Sequence, residues 1–209
     1  MALANYTDLQ AAIASRLHSS AYTSLIPDWI TLAEKSLNRL LNLSAAETET
    51  TLTASVGSRT LTPPSGFGTA VALYLTSYLP RIELPFRLPT QMQVYSENGP
   101  SSYWTYDGTV IKTDVPADQA YTYTLRYKAD FDIASTSTNA LMTNYPDLYL
   151  YGALIEAGND RVDQTALALY EKRFARALDE CKKNEHANRA AAKLRTDIAG
   201  SYRSNIIMG

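Results

Sequence analysis

Residue types that commonly do chemistry are few in this chain, and none stands at a spacing that assembles a site. The histidines are His18 and His186, and Cys181 is the single cysteine. A soft-ligand metal centre takes about four such donors, so zinc, copper and iron–sulfur chemistry lack a ligand set within one chain. An all-carboxylate magnesium site is left open by sequence. Cys181 extends an apolar helical stripe and has no sequence-local activator to make it a thiolate, so it reads as filler or an inert thiol. His18 falls at the polar end of a helix, where capping or solvation is its expected role, and His186 sits among basic residues at a surface. Glu34, Glu156 and Asp160 are the carboxylates that an acid–base pair would draw on. Their spacing does not support a carboxylate cleft, and helix carboxylates ordinarily serve solubility and ion pairing. No glycine-rich phosphate loop and no nucleophile elbow occurs. The chain therefore reads as a non-enzyme with no cofactor and no metal.

Composition narrows the classes further. The 209 residues are 45% apolar and 19% charged, which suits a folded domain of one large or two small units. No apolar run approaches the roughly 18 residues that a membrane span takes, so no membrane partner is expected. MALANYTDLQ has no secretory pattern, which places synthesis in a reducing cytoplasm and makes the sequons at Asn5 and Asn42 chance matches. The formal net charge of -2 argues against a dedicated nucleic-acid binder. Charge is unevenly spread, however. From Lys182 onward six basic residues (Lys182, Lys183, Arg189, Lys193, Arg195, Arg203) face Glu185 and Asp197, a local balance of +4, while the preceding 181 residues carry 13 basic and 19 acidic side chains, a balance of -6. An acidic body carries a basic tail.

The elements that would position any site follow the order helical, β-rich, helical, arm. Thr7 is expected to cap a first helix with Leu9, Ile13 and Leu17 on one face, and Pro27 fits the first turn of a second with Trp29, Ile30, Ala33, Leu37, Leu40 and Leu41 as its stripe. Residues 45–133 change texture: threonine-rich alternation, Gly57 and Pro63-Pro64 punctuation, and IELPF as an edge strand broken by Pro85. Asp107-Gly108 carries type I′ turn chemistry for a hairpin, and YTYTLRYK puts Tyr121, Tyr123, Leu125 and Tyr127 on one face. A compact antiparallel sheet or small sandwich is expected. The aromatic residues Tyr103, Trp104, Tyr106, Tyr121, Tyr123 and Tyr127 read as core and interface rather than a base-stacking platform, because basic interleaving is sparse.

After ASTSTN the chain returns to helix, with Thr138 as a cap and Pro146 opening a helix that Gly158 and Asn159 are expected to end. NYPDLYLYGALIEAGND is apolar around most of the helical circumference, which implies burial on several sides with tyrosine hydroxyls at the edges. A following helix places Leu167, Tyr170, Phe174, Ala177 and Leu178 on its stripe. Past Cys181 the stripe fades, and the last stretch reads as an arm for another molecule to bind. The fold class expected is α+β: a helical bundle from 1–44 and 134–181, an inserted antiparallel β domain over 45–133, and an extended basic arm over 182–209.

NYTDLQAAIASRL, IPDWITLAEKSLNRLL, the threonine-rich β region, TNALMTNYPDLYLYGALIEAGND and ALALYEKRFARAL stand in an order that closely resembles head-to-tail adaptor proteins of tailed bacteriophages, to about Leu178. The resemblance implies a structural virion protein at the portal vertex. It implies a homo-oligomeric ring, dodecameric to match the portal, that joins portal to tail or nozzle, with genomic DNA passing through its channel unbound. It carries no catalytic residues. Candidate subunit or portal contacts are Tyr145, Tyr149 and Tyr151 on the tyrosine helix and Lys182, Lys183, Arg189, Lys193, Arg195, Tyr202, Arg203, Ile206 and Ile207 on the arm, the arm's role resting on position and composition. A neighbouring tail-completion or nozzle protein, or a monomeric helical and β domain outside phages, are the alternative readings.

Overall fold

A computed structural model describes residues 3–18, 20–161 and 164–204. The chain divides into two compact units, residues 1–45 with 131–209 and residues 46–130.

In the first unit, α1 (Tyr6–Leu17) is capped not by Thr7 but by Asn5, whose side chain accepts from the Asp8 N–H at 2.9 Å. Asn5 is extended, as a capping residue must be, whereas Thr7 already lies within the helix. His18 closes α1 in the left-handed region, φ 50°. The second helix, α2 (Ile26–Leu40), holds Pro27 in its first turn and buries Ile26, Trp29, Ile30, Ala33 and Leu37. When the chain re-enters this unit, α2 receives it with two side chains one turn apart. Asn38 accepts from the Phe131 N–H at 2.9 Å and donates to the Phe131 carbonyl at 3.0 Å, and Glu34 accepts from the Ile133 N–H at 2.9 Å. Short helices α3 (Ile133–Thr136) and α4 (Ala140–Asn144) follow. Asn139, rather than Thr138, caps α4 by accepting from the Met142 N–H at 2.8 Å.

The central element is α5 (Pro146–Arg161), which packs on both α2 and the long α6 (Gln164–Ser204) and also meets α1 and α4. Leu148, Tyr149, Leu150, Ala153, Leu154 and Ala157 are each at most 2% exposed, which explains why this helix is apolar nearly all round. Gly158 does not stop it. A β-carbon there would stand 3.4 Å from Leu167 Cδ1, so this glycine admits the close return of α6. Gly152 does the same on a tighter face, 3.1 Å from Ala33 Cβ and 3.5 Å from Phe174 Cε2 for an added β-carbon.

The second unit holds two antiparallel sheets. One has the order β1 (Glu47–Thr53), β7 (Thr122–Ala129), β3 (Phe67–Leu75), β4 (Ile82–Leu84); the other has β2 (Thr60–Leu61), β6 (Ile111–Thr113), β5 (Trp104–Tyr106). Tyr123, Leu125 and Tyr127 alternate inward along β7 and share one core with Leu73, Leu75, Leu84, Trp104 and Ile111. As expected, β4 lies at an edge, before Pro85. The β5–β6 hairpin forms at Asp107-Gly108, but its loop runs from Asp107 to Val110 rather than two residues. The Asp107 carboxylate captures the N–H groups of Thr109 and Val110, both at 3.0 Å, and only Gly108 takes a positive φ. The α+β class, with a helical unit drawn from both ends of the sequence and an antiparallel β unit between them in the chain, is thus observed.

Gly152→Val should lower the stability of the helical unit by about 1–3 kcal/mol, because α5 cannot approach Ala33 past a branched side chain. Thermal unfolding followed by helical circular dichroism reads it, and an unchanged midpoint would contradict the close-packed contact.

Candidate functional site

The residues that sequence marks as contacts do not all reach a surface. Tyr149 is wholly enclosed: its hydroxyl donates to Glu34 Oε1 at 2.5 Å and accepts from Asn139 Nδ2 at 2.8 Å. Burial, reinforced by the Glu34 carboxylate, holds this phenol well above its ordinary 10.0. Its work lies inside the fold, linking α2, α5 and the α4 cap, and it is not available to a neighbour. Tyr151 is half-buried, its hydroxyl accepting from Arg173 Nη1 at 2.9 Å and its ring lying 5.8 Å from the Arg16 guanidinium and 5.6 Å from that of Arg173. Tyr145 ends α4 half-buried and accepts from Asn184 Nδ2 at 3.2 Å.

That last bond marks where α6 crosses the connector that leaves α2. At the next residue, Glu185 accepts from the Ser44 N–H at 2.8 Å and lies 3.2 Å from the Ser44 hydroxyl. Arg189 donates to Glu185 Oε1 at 2.8 Å and to the Asn42 carbonyl at 2.8 Å. The base of the basic arm is therefore clamped to the connector by polar groups, where the sequence pattern shows only a fading apolar stripe. Two clefts flank the clamp. One of about 340 Å³ is lined by Ser44, Asn144, Tyr145, Asn184 and Asn188 among others; the other, of about 250 Å³, has a floor of Leu40, Leu41 and Leu43 and a rim of Lys182, His186 and Arg189.

Burial alone would raise the Glu185 carboxyl. Hydrogen bonds from Arg189 and from the Ser44 N–H and hydroxyl outweigh it, and the net displacement is downward. Cys181, one turn earlier, is fully buried, and burial pushes its thiol up to about 11, so it is packing rather than a nucleophile. Lys183 pairs with Asp179 at 2.6 Å on the open side of α6, and Lys182 is exposed at the cleft rim. Lys193, Arg195, Tyr202 and Arg203 lie on α6; Ile206 and Ile207 fall outside the described residues. Among the described residues no group of three or more His, Cys, Asp or Glu is placed to hold a metal ion, and no helix is long and apolar enough to cross a membrane. The clefts present hydrogen-bond donors and acceptors beside an apolar floor.

A family model described as SU10 adaptor protein matches residues 4–197. The chain belongs to the SU10 adaptor protein family. It is accordingly a phage adaptor, a structural component of the head–tail interface of the virion. No curated protein matches it. In this adaptor the match takes in the helical unit, the β unit and most of α6. Asn42, Ser44 and Asn184 escaped sequence reasoning. Glu185 and Arg189 carry a readable i,i+4 signal, but their partners stand more than 140 residues away in the chain.

Glu185→Gln should destabilise the clamp by about 1–2 kcal/mol, the lower part of the range for charge-assisted bonds because Arg189 is half exposed. Because the folded carboxyl titrates below its ordinary 4.5, its contribution is present above that pH and is lost as pH falls through the depressed value. Unfolding midpoints at neutral pH and near pH 3 check this: the difference between wild type and variant should shrink in acid, and an equal difference at both would contradict it.

Proposed function

We propose that the protein assembles as a homo-oligomeric ring, dodecameric like the portal, that sits beneath the portal, joins it to the tail or nozzle, and leaves an axial channel for DNA. Beside the family, the observation that carries this reading is the length of α6. At about 1.5 Å per residue, α5 extends for roughly 24 Å and α6 for roughly 61 Å. The C-terminal half of α6 therefore outruns the helix against which its first half packs. Residues 182–190 are exposed except for Glu185.

Lys182, Lys183, Arg189, Lys193, Arg195 and Arg203 lie on this part of a chain whose remainder is net acidic. A long basic helix beyond its own bundle suits an acidic receiving surface on the portal, and charge complementarity would orient it. Arg189 is committed to Asn42 and Glu185, so the residues beyond it, Lys193, Arg195, Tyr202 and Arg203, are the portal contacts in this reading. Tyr145 and Tyr151, at the border of the helical unit, serve subunit contact. An acidic body around a channel would repel DNA and let it pass.

Truncation after Arg189 keeps the Glu185–Arg189 clamp and removes the rest of the arm. The shortened chain should fold, and its affinity for the portal of the same phage should fall by roughly tenfold or more. Full-strength portal binding by the truncated chain would remove the arm from the interface.

A further inference from the structure

The apolar cleft beside the clamp gathers its residues into one cavity, with Leu40, Leu41 and Leu43 as floor and Lys182, His186 and Arg189 at the rim. Leu41 and Leu43 are buried, whereas Leu40 is 47% exposed. Apolar area at this mouth is therefore still in water, and a further apolar side chain gains by covering it. Arg189 and Glu185 are engaged with each other, with Asn42 and with Ser44. The exposed Lys182 and His186 make up the rest of the rim.

The same chain carries a group of matching chemistry where it cannot reach this cleft in its own copy. Ile206, Ile207 and Met208 are three consecutive large apolar residues, after a stretch from Lys182 to Asn205 in which Leu194, Ile198 and Tyr202 stand singly. They fall outside the described residues, but covalent geometry limits how far they lie from Ser204. Ser204 stands roughly 27 Å along α6 from His186. Ile207, three residues on, extends at most about 11 Å from Ser204. Even turned straight back, it stops roughly 16 Å short of His186. No charged side chain occurs from Ser204 to Gly209, so this segment brings no positive charge to the basic rim, and its main-chain carbonyls are acceptors for Lys182 and His186.

We propose that Ile206 and Ile207 of one copy fill the Leu40, Leu41 and Leu43 cleft of a neighbouring copy. The inference rests on the ring reading and names a contact by which the ring is joined. Knob and cleft lie at different places on one chain, so each copy gives its isoleucines to one neighbour and receives those of the other. Such a head-to-tail contact closes into a ring when the rotation allows. The stretch from Lys193 to Arg203 stays with the portal.

The test places Leu40→Cys and Ile207→Cys together in the full chain and oxidises it with diamide, free and on the portal of the same phage. A disulfide forms only when the two α-carbons come within about 7 Å, and the native Cys181 is buried. The expected result is a ladder of covalent oligomers that collapses on reduction, with each single variant stopping at or below a dimer. Ile206→Ser with Ile207→Ser should raise the chain concentration that half-fills the ring on the portal by roughly tenfold or more, the scale of an interface anchor. A double-cysteine chain that closes on itself or stays uncrosslinked, in a wild type whose mass is that of a ring, overturns the inference and leaves the ring standing. Unchanged assembly of the serine variant also overturns it. A wild-type chain that forms no ring, free or with the portal, overturns both.

Discussion

A chain that leaves a helical bundle for 85 residues must come back to where it left, or the bundle does not close. Here the return is received on α2 by two side chains one helical turn apart, Asn38 bracketing Phe131 and Glu34 accepting from Ile133. Both groups sit in a helix that is otherwise an apolar stripe, and Glu34 is only 7% exposed. Such a carboxylate is costly to bury without donors. The Ile133 N–H and the Tyr149 hydroxyl supply them, so one buried acid ties together α2, the re-entry point and α5. The β unit is then an insertion in the sequence whose return point is fixed within the helical unit.

From that junction the rest of the helical unit follows. Once the chain is fixed at Ile133, Asn139 and Pro146 start α4 and α5 in turn, and α5 lies between α2 and α6. Two glycines set how near those neighbours come, Gly152 toward Ala33 and Phe174 and Gly158 toward Leu167. α6, antiparallel in sequence order and far longer, is then carried past the bundle with its base locked to Asn42 and Ser44.

Periodicity made the elements legible: the α2 stripe, the inward alternation of Tyr123, Leu125 and Tyr127, and the apolar circumference of α5 are all local patterns of spacing. Caps were misjudged by one or two residues, because Asn5 and Asn139 compete with Thr7 and Thr138 and only backbone conformation decides between them. Tyr149 illustrates a deeper limit. A tyrosine on an all-apolar helix serves equally well at a subunit border or beside a buried acid, and only the fold brings Glu34 within reach, 115 residues away. The clamp at Asn42 and Ser44 was invisible for the same reason.

The polar contacts of Glu34, Asn38 and Glu185 hold the helical unit together, and in the proposed function the basic stretch of α6 is the part left for a partner. The most direct measurement is the solution mass of the purified 23.1 kDa chain, by light scattering or mass photometry, alone and with the portal of the same phage. The account predicts a complex whose added mass matches a closed ring of chains on the portal. A chain that stays monomeric in the presence of the portal, with no complex formed, would contradict it.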